Sequence, residues 1–404
     1  MPNFIECSCK HYTSIENICR ECNYNICPSK GSFVCLYCNK NICDDCKIHH
    51  IGNHTKITRN KPMGLVNMGL TCYMNVSLQC LCACSTLSHY IMNNEYDDTL
   101  ILEYKAFLKS SINELGNEPF VPTKIKLEIS KVDEEFKDNK QKDCYQFLLT
   151  LINEISSRIS HSDDHFSFQS RALGKSITID EAIAEGISKV SNSNAAITTS
   201  LFTVISANII ACKKCKGDRI KLETSFSLSL PIPNKKTPQL EECINEYTSV
   251  QQLNGNNKIY CSVCKDKVDG EMCMQLVSLP PYLLLYFKKQ KLKRINVTEK
   301  NTTHIEYPIS IDFTKYMSIS NSTYVLKNLT KFSPRYKLLG TVFHMGTIDE
   351  GHYTCLIRKE NAWYYCDDSR IKQVSRDEYK NNNEVVLLYE REGIDKIASK
   401  DGIV

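Results

Sequence analysis

Cysteine is spread unevenly along this chain of 404 residues, and its clustering constrains what the first part can fold into. Nine of the 22 cysteines precede residue 47, and histidines are interleaved with them. So short a segment cannot bury enough apolar surface to fold on its own. The N-terminus carries no apolar signal segment, so we expect a reducing compartment, in which clustered cysteines and histidines bind metal. We predict a zinc-folded domain over residues 1–58, with a disulfide-bonded knot as the alternative.

The first domain has nine cysteines and four histidines in closely spaced groups, which are enough candidate ligands for two or three zinc ions. Which ligands share an ion is open. The ten that we assign are Cys9, His11, Cys19, Cys22, Cys35, Cys38, Cys43, Cys46, His50 and His54.

A second zinc signal lies in the middle of the chain. Two Cys-x2-Cys pairs are separated by 45 residues, a spacing typical of two knuckles that close on one tetrahedral ion. Four thiolates leave no open coordination position, so we expect one structural zinc ion. Its ligands are Cys212, Cys215, Cys261 and Cys264.

The composition argues against a nucleic-acid-binding protein and against a membrane-spanning protein. Charged residues make up 24% of the chain and the net charge is +4, which is ordinary for a globular protein and too small to indicate nucleic-acid binding. The first domain also lacks a basic stripe, so we expect no sequence-specific nucleic-acid contact. No apolar run of about 18 residues exists, so no membrane span is predicted.

One cysteine outside these clusters has a sequence context typical of a nucleophile. Cys72 follows a glycine-rich turn and precedes apolar residues at helical spacing, so it falls in the first turn of a helix. The partial positive charge of a helix N-terminus favours a thiolate. Asn67 can aim an amide N–H at an oxyanion that forms on the attacked carbonyl. A buried structural cysteine is the alternative.

The partners that a nucleophilic thiol needs lie far downstream. His352 and Asp367 fall on two segments that read as adjacent antiparallel strands, so their side chains could meet. Histidine would accept the thiol proton and the carboxylate would hold the imidazole in the required tautomer. Gly351 leaves room for a substrate backbone to approach.

These segments together resemble the ubiquitin-specific proteases. Residues 64–79 are similar to the cysteine box of that family, residues 336–368 to its histidine box and residues 141–148 to its Gln-x-Asp box, all in family order. The resemblance implies an α+β, papain-like cysteine protease fold with thumb, palm and zinc-bearing fingers. The implied domains are a ubiquitin-protease-type zinc finger over 1–58, a catalytic domain over 62–392 with fingers at about 200–275, and a tail over 393–404.

By this resemblance the chain is a thiol-dependent deubiquitinase that cleaves the isopeptide bond between the ubiquitin C-terminus and a substrate lysine. Cys72 is the nucleophile, His352 the general base, Asp367 the third member and Asn67 the oxyanion donor. The implied substrate-binding residues are Asp143, His344, Gly351 and Tyr353. Asp143 would pair with the arginine-rich tail of ubiquitin. Gln146 stands where the family has an acidic residue, which weakens one charge contact.

The first domain departs from zinc fingers that capture ubiquitin. Phe33, Asp45 and Cys46 stand at the usual tryptophan, arginine and neighbouring aromatic positions, and aspartate cannot donate the hydrogen bonds that arginine makes. We expect this finger to dock a protein partner rather than ubiquitin. The arrangement resembles the histone H2B deubiquitinases of the SAGA coactivator, which implies adaptor subunits, a nucleosomal histone substrate and a nuclear location, with the cytoplasm as the alternative.

Three alternatives remain open at this point. The chain could be a deubiquitinase with another substrate, a catalytically inactive scaffold of the same fold, or a zinc-rich nucleic-acid-binding protein. The basic segment from Lys288 to Lys300 is expected to be a solvated loop.

Overall fold

The computed structural model describes residues 32–34, 41–43, 61–112, 118–159, 171–172, 181, 197–294, 297–317, 334–347, 350–379 and 383–393. Strands β1 (Ser32–Val34) and β2 (Asn41–Cys43) form an antiparallel pair. The other predicted ligands of the first domain, from Cys9 to His54, lie outside the described residues. The prediction of two or three zinc ions there therefore stays a prediction.

Helices predominate in the described residues between 72 and 202. Alternation of buried and exposed positions at helical spacing explains why they form, and the apolar faces meet in one core. The helices are α1 (Cys72–Ala83), α2 (Ser85–Asn93), α3 (Thr99–Ile112), α4 (Thr123–Val132), α5 (Cys144–Ile159) and α6 (Ile197–Phe202). Helix α1 is buried along most of its length, because it packs between the other helices and a large sheet.

That large sheet is the palm of the expected fold. Its strands are β6 (Leu228–Leu230), β11 (Tyr282–Phe287), β14 (Ser310–Asp312), β15 (Arg335–Gly346), β16 (Gly351–Lys359), β17 (Ala362–Asp367), β18 (Arg370–Val374) and β19 (Glu384–Arg391). The strand order is β18-β17-β16-β15-β19-β11-β6, with β14 paired to β15. Helices packed against a mostly antiparallel sheet make an α+β architecture, which agrees with the predicted fold class.

A second sheet extends from the palm as the fingers. Its strands, with a short pair beyond them, are β3 (Arg171–Ala172), β4 (Val204–Cys212), β5 (Asp218–Ser225), β7 (Gln251–Leu253), β8 (Ile259–Cys261), β9 (Asp266–Val268) and β10 (Gly270–Ser278). The sheet order is β3-β5-β4-β10-β7, and β8 and β9 form the short pair. Helix α7 (Leu240–Thr248) precedes β7 and packs its apolar face into a second core.

The expectation of a solvated loop from Lys288 to Lys300 is wrong. Strands β12 (Gln290–Arg294) and β13 (Val297–Lys300) form an antiparallel hairpin in this segment. Lys289 is buried, and its ammonium lies 3.4 Å from the Glu384 carboxylate. No partner for Lys289 is evident in the sequence, because Glu384 is distant along the chain. A buried charge needs such a partner, so Glu384 explains why Lys289 can be buried.

None of the helices in the described ranges is both long and apolar enough to cross a membrane.

Candidate active site

The structure places Cys72 at the first residue of α1, where the helical pattern predicts it. The backbone carbonyl of Thr71 accepts the N–H groups of Met74 and Asn75, so the first turn is already closed. The thiol lies at the positive end of the helix dipole, which favours a thiolate. The Cys72 side chain is buried at the base of the cleft between helices and palm.

The imidazole of His352 meets both the thiol and a carboxylate. His352 is the second residue of β16, and Asp367 is the last residue of the neighbouring strand β17. The His352 Nε2 and Asp367 Oδ1 atoms are 2.7 Å apart. A hydrogen bond with the Cys72 thiol is the largest cause that raises the pKa of His352 to about 9, and the bond to Asp367 acts in the same direction against partial burial. The imidazole therefore interacts with both the thiol and the carboxylate.

A second carboxylate connects the cysteine loop to the end of β17. Asp368 accepts the amide of Asn67 at 2.8 Å and that of Asn75 at 2.7 Å. Its backbone carbonyl accepts the N–H of Leu65 at 2.9 Å. Asp368 therefore orients Asn67 through a direct hydrogen bond, whereas Asp367 is the partner of the histidine. Asn67 retains a second amide hydrogen for an oxyanion, because its NH2 group has two donors.

The side-chain carbonyl of Asn67 is also engaged. It accepts the N–H of Gly69 at 3.1 Å and the N–H of Thr71 at 3.0 Å. These contacts shape the turn before Cys72, in which Gly69 and Leu70 both have positive φ angles. A side chain held at both ends is pre-organised, as an oxyanion donor must be.

Three further predicted residues line the palm wall of the cleft. His344 and Tyr353 are register partners on β15 and β16, and their rings stack at 4.3 Å. Gln141 binds this pair from the helical side: its amide nitrogen lies 2.9 Å from His344 Nε2, and its carbonyl accepts the N–H of Gly351 at 2.6 Å. A Cβ on Gly351 would lie 2.0 Å from the Met345 carbonyl oxygen, so strand packing requires glycine here.

Burial lowers the pKa of His344 to about 4, and the nearby Lys300 and His352 charges act in the same direction. Because His344 is neutral and lies between Gln141 and Tyr353, it fits a structural role in the wall of the cleft better than a role in proton transfer. The ammonium of Lys300 donates to the His344 and Gly346 carbonyl oxygens at 2.7 and 2.8 Å. The hairpin β12-β13 is thereby tied to the strand end that precedes His352.

A groove of about 1180 Å³ runs between the helices and the palm. Its lining includes Glu135, Lys140, Asp143, Gln146, Gly351 and Tyr353. Asp143 precedes α5, and its Oδ1 accepts the N–H groups of Tyr145 at 2.7 Å and Gln146 at 3.0 Å. Burial raises the pKa of Asp143 despite these hydrogen bonds. The structure therefore gives Asp143 a capping role within the groove wall in addition to its predicted contact.

The two cysteine knuckles of the fingers converge. The four thiol sulfurs of Cys212, Cys215, Cys261 and Cys264 lie within 4.8 Å of one another. Cys212 and Cys264 sulfurs are 3.9 Å apart, and Cys215 and Cys261 sulfurs are 3.7 Å apart. Tetrahedral zinc with Zn–S bonds of about 2.3 Å requires sulfurs about 3.8 Å apart, so the cluster fits this ion. Backbone N–H groups, that of Cys264 first, lower the pKa of Cys261 to about 6, whereas burial and the neighbouring thiols raise the pKa of Cys264 to about 12, so the sulfur spacing rather than the pKa values supports the ion.

Sequence reasoning missed the roles of Asn75, Gln141 and Lys300, and it assigned Asp368 no direct contact. Asn75 carried a signal, because a buried polar residue inside an apolar helix needs a partner. That partner is 293 residues away, so the sequence could not identify it. Lys300 carried no such signal, since lysine in a basic run is usually solvated.

A thiol at a helix N-terminus, an imidazole bonded to it and a carboxylate behind the imidazole define a cysteine-dependent hydrolase. Comparison with known proteins gives the family. The model of the ubiquitin carboxyl-terminal hydrolases matches residues 63–389. The chain belongs to this family, as the resemblance of its motifs predicted.

Individual relatives are distant and longer. The chain is 26% identical to ubiquitin carboxyl-terminal hydrolase 4 of Eremothecium gossypii over 82% of its own length and 43% of that protein. It is 24% identical to ubiquitin carboxyl-terminal hydrolase 51 of Mus musculus over 82% of its length and 51% of the relative. It is 24% identical to ubiquitin carboxyl-terminal hydrolase 5 of Saccharomyces cerevisiae over 81% of the chain and 44% of the relative. The chain thus spans about half the length of the curated relatives that it matches.

Proposed function

We propose that this chain is a deubiquitinase that hydrolyses the isopeptide bond between the C-terminal glycine of ubiquitin and a substrate lysine. The observation that carries the proposal is the interacting series of Cys72, His352 and Asp367, next to Gly351 in the wall of an open groove. An extended peptide tail that ends in glycine, which has no side chain, can lie along such a groove.

The geometry supports a two-stage mechanism. The Cys72 thiolate attacks the glycine carbonyl carbon, and the oxyanion receives the second amide hydrogen of Asn67. The His352 imidazolium gives its proton to the departing lysine amine, and the C–N bond breaks to leave a thioester. Water then loses a proton to His352 and attacks the thioester, which releases ubiquitin and restores the thiol. Asp367 holds the imidazole orientation through both stages.

Replacement of Cys72 by alanine tests the nucleophile. The Cys72→Ala protein should not turn over a fluorogenic substrate attached to the ubiquitin C-terminus, and it should not be labelled by ubiquitin that ends in an electrophile. Cys82→Ala is the matched control, because Cys82 is a half-buried thiol on the same helix and lines a cavity away from the groove. Turnover by Cys72→Ala would refute the proposal.

We assign a structural zinc ion to the four finger cysteines, and two or three further ions to the first domain. The sulfur separations support the finger site, whereas the first-domain sites rest on ligand spacing. Metal analysis of the whole chain by mass spectrometry should find three or four zinc ions. Cys215→Ser should lower that number by one.

For the substrate, we propose nucleosomal histone H2B, with adaptor subunits of a SAGA-like module and a nuclear location. Support comes from the resemblance of the domain order and from Phe33, Asp45 and Cys46 in the first domain. The test compares ubiquitin release from ubiquitinated nucleosomes and from free ubiquitin chains, with and without subunits that co-purify from native extract. Faster cleavage of free chains under both conditions would overturn the histone assignment.

The first domain would then serve assembly rather than ubiquitin capture. Calorimetric titration of free ubiquitin into the Cys72→Ala protein separates the two roles, because binding at the catalytic domain alone gives one site per chain. A second site of micromolar affinity would contradict the docking role.

A further inference from the structure

A second opening lies beyond the catalytic residues, at the edge of the palm sheet. The groove covers the part of the sheet from β11 to β16, since Tyr286 and Gly351 line it. His352 follows Gly351, and the strand order continues from β16 through β17 to the edge strand β18. A pocket of about 470 Å³ opens there, and Asp367 and Arg370 line it. Because the groove ends at β16 and the pocket begins at β17, with no lining residue shared among the described residues, His352 lies between the two.

Backbone hydrogen bonds hold the walls of this pocket together. The Leu65 N–H donates to the Asp368 carbonyl oxygen at 2.9 Å, and the Phe120 N–H donates to the Gly64 carbonyl oxygen at 2.9 Å. Gly64 also lies so close to the turn between β17 and β18 that a Cβ on it would be 2.5 Å from the Ser369 carbonyl oxygen. Each of these three segments contributes lining residues. The pocket therefore has walls that are tied to one another and a defined shape.

Arg370 carries the exposed positive charge of the pocket. It is the register partner of Asp367 on the neighbouring strand, and side chains of directly opposed residues stand on the same face of a sheet. Since the Asp367 carboxylate bonds His352, the Arg370 side chain also lies on the catalytic face. Within the ranges that the structure describes, the guanidinium forms no ion pair and no hydrogen bond. Its N–H donors are therefore available to a ligand.

The carboxylates of the pocket are already engaged. Asp367 is bonded within the triad, and the two oxygens of Asp368 accept the amides of Asn67 at 2.8 Å and Asn75 at 2.7 Å. The charge of Asp368 still repels an incoming carboxylate, so the net attraction that Arg370 provides at this exposed position is small. A small charge preference is nevertheless what distinguishes one substrate peptide from another when the reacting atoms are the same.

We propose that this pocket is the subsite for the leaving-group side of the scissile bond, and that Arg370 selects an acidic residue next to the modified lysine. The inference rests on the proposed deubiquitinase function and deepens it. The ubiquitin tail arrives along the groove, and Cys72 attacks its last carbonyl carbon. The lysine and the peptide that carries it must then extend past His352 in the other direction, which leads to the edge formed by β17 and β18. A planar guanidinium there matches a carboxylate through paired hydrogen bonds.

The test uses ubiquitin joined through its C-terminus to the lysine of short peptides that carry either aspartate or asparagine beside that lysine. The readout is the ratio of kcat/KM for the aspartate and asparagine peptides within one protein, because a general effect on the triad cancels from this ratio. We expect a ratio of about two to five for the unmodified protein, as for one charged contact at an exposed site. The ratio should fall to about one in Arg370→Gln and below one in Arg370→Glu.

Lys372→Gln is the matched control. Lys372 is an exposed cation two residues further along β18, so its side chain stands on the same face as that of Arg370, but it does not line the pocket. This variant removes the same charge and should keep the ratio of the unmodified protein. A ratio of about one in the unmodified protein, or an equal fall in Lys372→Gln and Arg370→Gln, would overturn the inference. An unmodified protein that cleaves neither peptide substrate nor ubiquitin attached to a small fluorophore would instead refute the proposed function.

Discussion

The cysteine at the cleft and the four cysteines at the tip of the fingers have the same side chain but different chemistry. At the cleft, a single thiol sits at a helix N-terminus beside an imidazole that can take its proton. At the tip of the fingers, four thiols face one another with sulfurs 3.7 and 3.9 Å apart in two pairs. The first thiol has an imidazole as its polar neighbour, whereas each thiol of the second group faces other sulfurs.

The difference shows that neighbours, not the residue, decide whether a cysteine reacts or binds metal. A thiolate beside one proton acceptor is a nucleophile, and four thiolates at tetrahedral spacing are a metal cage. Cys80, Cys84 and Cys355 provide a third case, since apolar surroundings bury them and raise their pKa values. These cysteines remain neutral core residues.

Asp367→Asn should have the largest effect on the cleft and none on the fingers. An asparagine would favour the wrong imidazole tautomer, so kcat should fall by about 10³-fold or more. Zinc content measured by mass spectrometry should stay unchanged. Loss of zinc in this variant would contradict the independence of the two regions.

Gly351→Ala should rank second. The new Cβ would overlap the Met345 carbonyl oxygen at 2.0 Å, so β16 must shift and carry His352 away from Cys72. A displacement of about 1 Å at a reacting group costs about 10²-fold in rate. Steady-state kinetics on a ubiquitin substrate measures this loss. Gly217→Ala is the control, because its new Cβ would come no closer than 3.4 Å to a neighbouring atom, the Cys215 sulfur in the fingers.

Cys264→Ser should break the finger site while sparing the triad. The variant should lose one zinc ion, and hydrogen exchange of the amides in β8 and β9 should accelerate, since structural zinc stabilises such knuckles. We expect roughly a tenfold rise in KM for ubiquitin with nearly normal labelling of Cys72 by a small alkylating agent. Cys243→Ser is the control, because Cys243 is a buried core thiol outside the cluster. A normal KM would show that the fingers do not contribute to ubiquitin binding.

The pH dependence should show the smallest effect. The folded-state pKa of His352 is raised to about 9 from 6.5, so its stabilisation is fully present below pH 6.5 and is lost as pH rises through about 9. His344 has the opposite sign: its pKa is lowered to about 4, so stability falls as pH drops from 6.5 toward 4. Urea unfolding at pH 5, 7 and 9 measures both changes in stability. His352→Gln should remove the loss of stability at high pH, and His344→Gln should remove the loss at low pH.

Local sequence motifs predicted the main residues of the cleft and of the fingers. The glycine turn before Cys72, the alternating strand before His352 and the paired Cys-x2-Cys knuckles are each encoded within a few residues. Short-range patterns of this kind identify both the element and the chemistry of the residue it carries. The α+β class and the approximate finger range followed from the same patterns.

The long-range contacts could not be read in this way. No residue near Asp368 in the sequence indicates its partners, and only the fold brings it to Asn67 and Asn75. Lys289 and Lys300 lie in a basic run that favours solvent, yet one pairs with Glu384 and the other donates to carbonyls beside the cleft. Burial and partner choice depend on the whole topology, which no window of sequence contains.

Because the hydrogen bonds of Asp368 join distant parts of the chain, they also determine when activity can appear during synthesis. They join Asn67 to a residue 301 positions later, and His352 and Asp367 come from the same late part of the chain. At about 5–20 residues per second, roughly 15 to 60 s separate emergence of the nucleophile from that of its partners. Until then Cys72 lacks its base and its oriented oxyanion donor. A nascent protease of this design stays inert on the ribosome until nearly all of its catalytic region has been made.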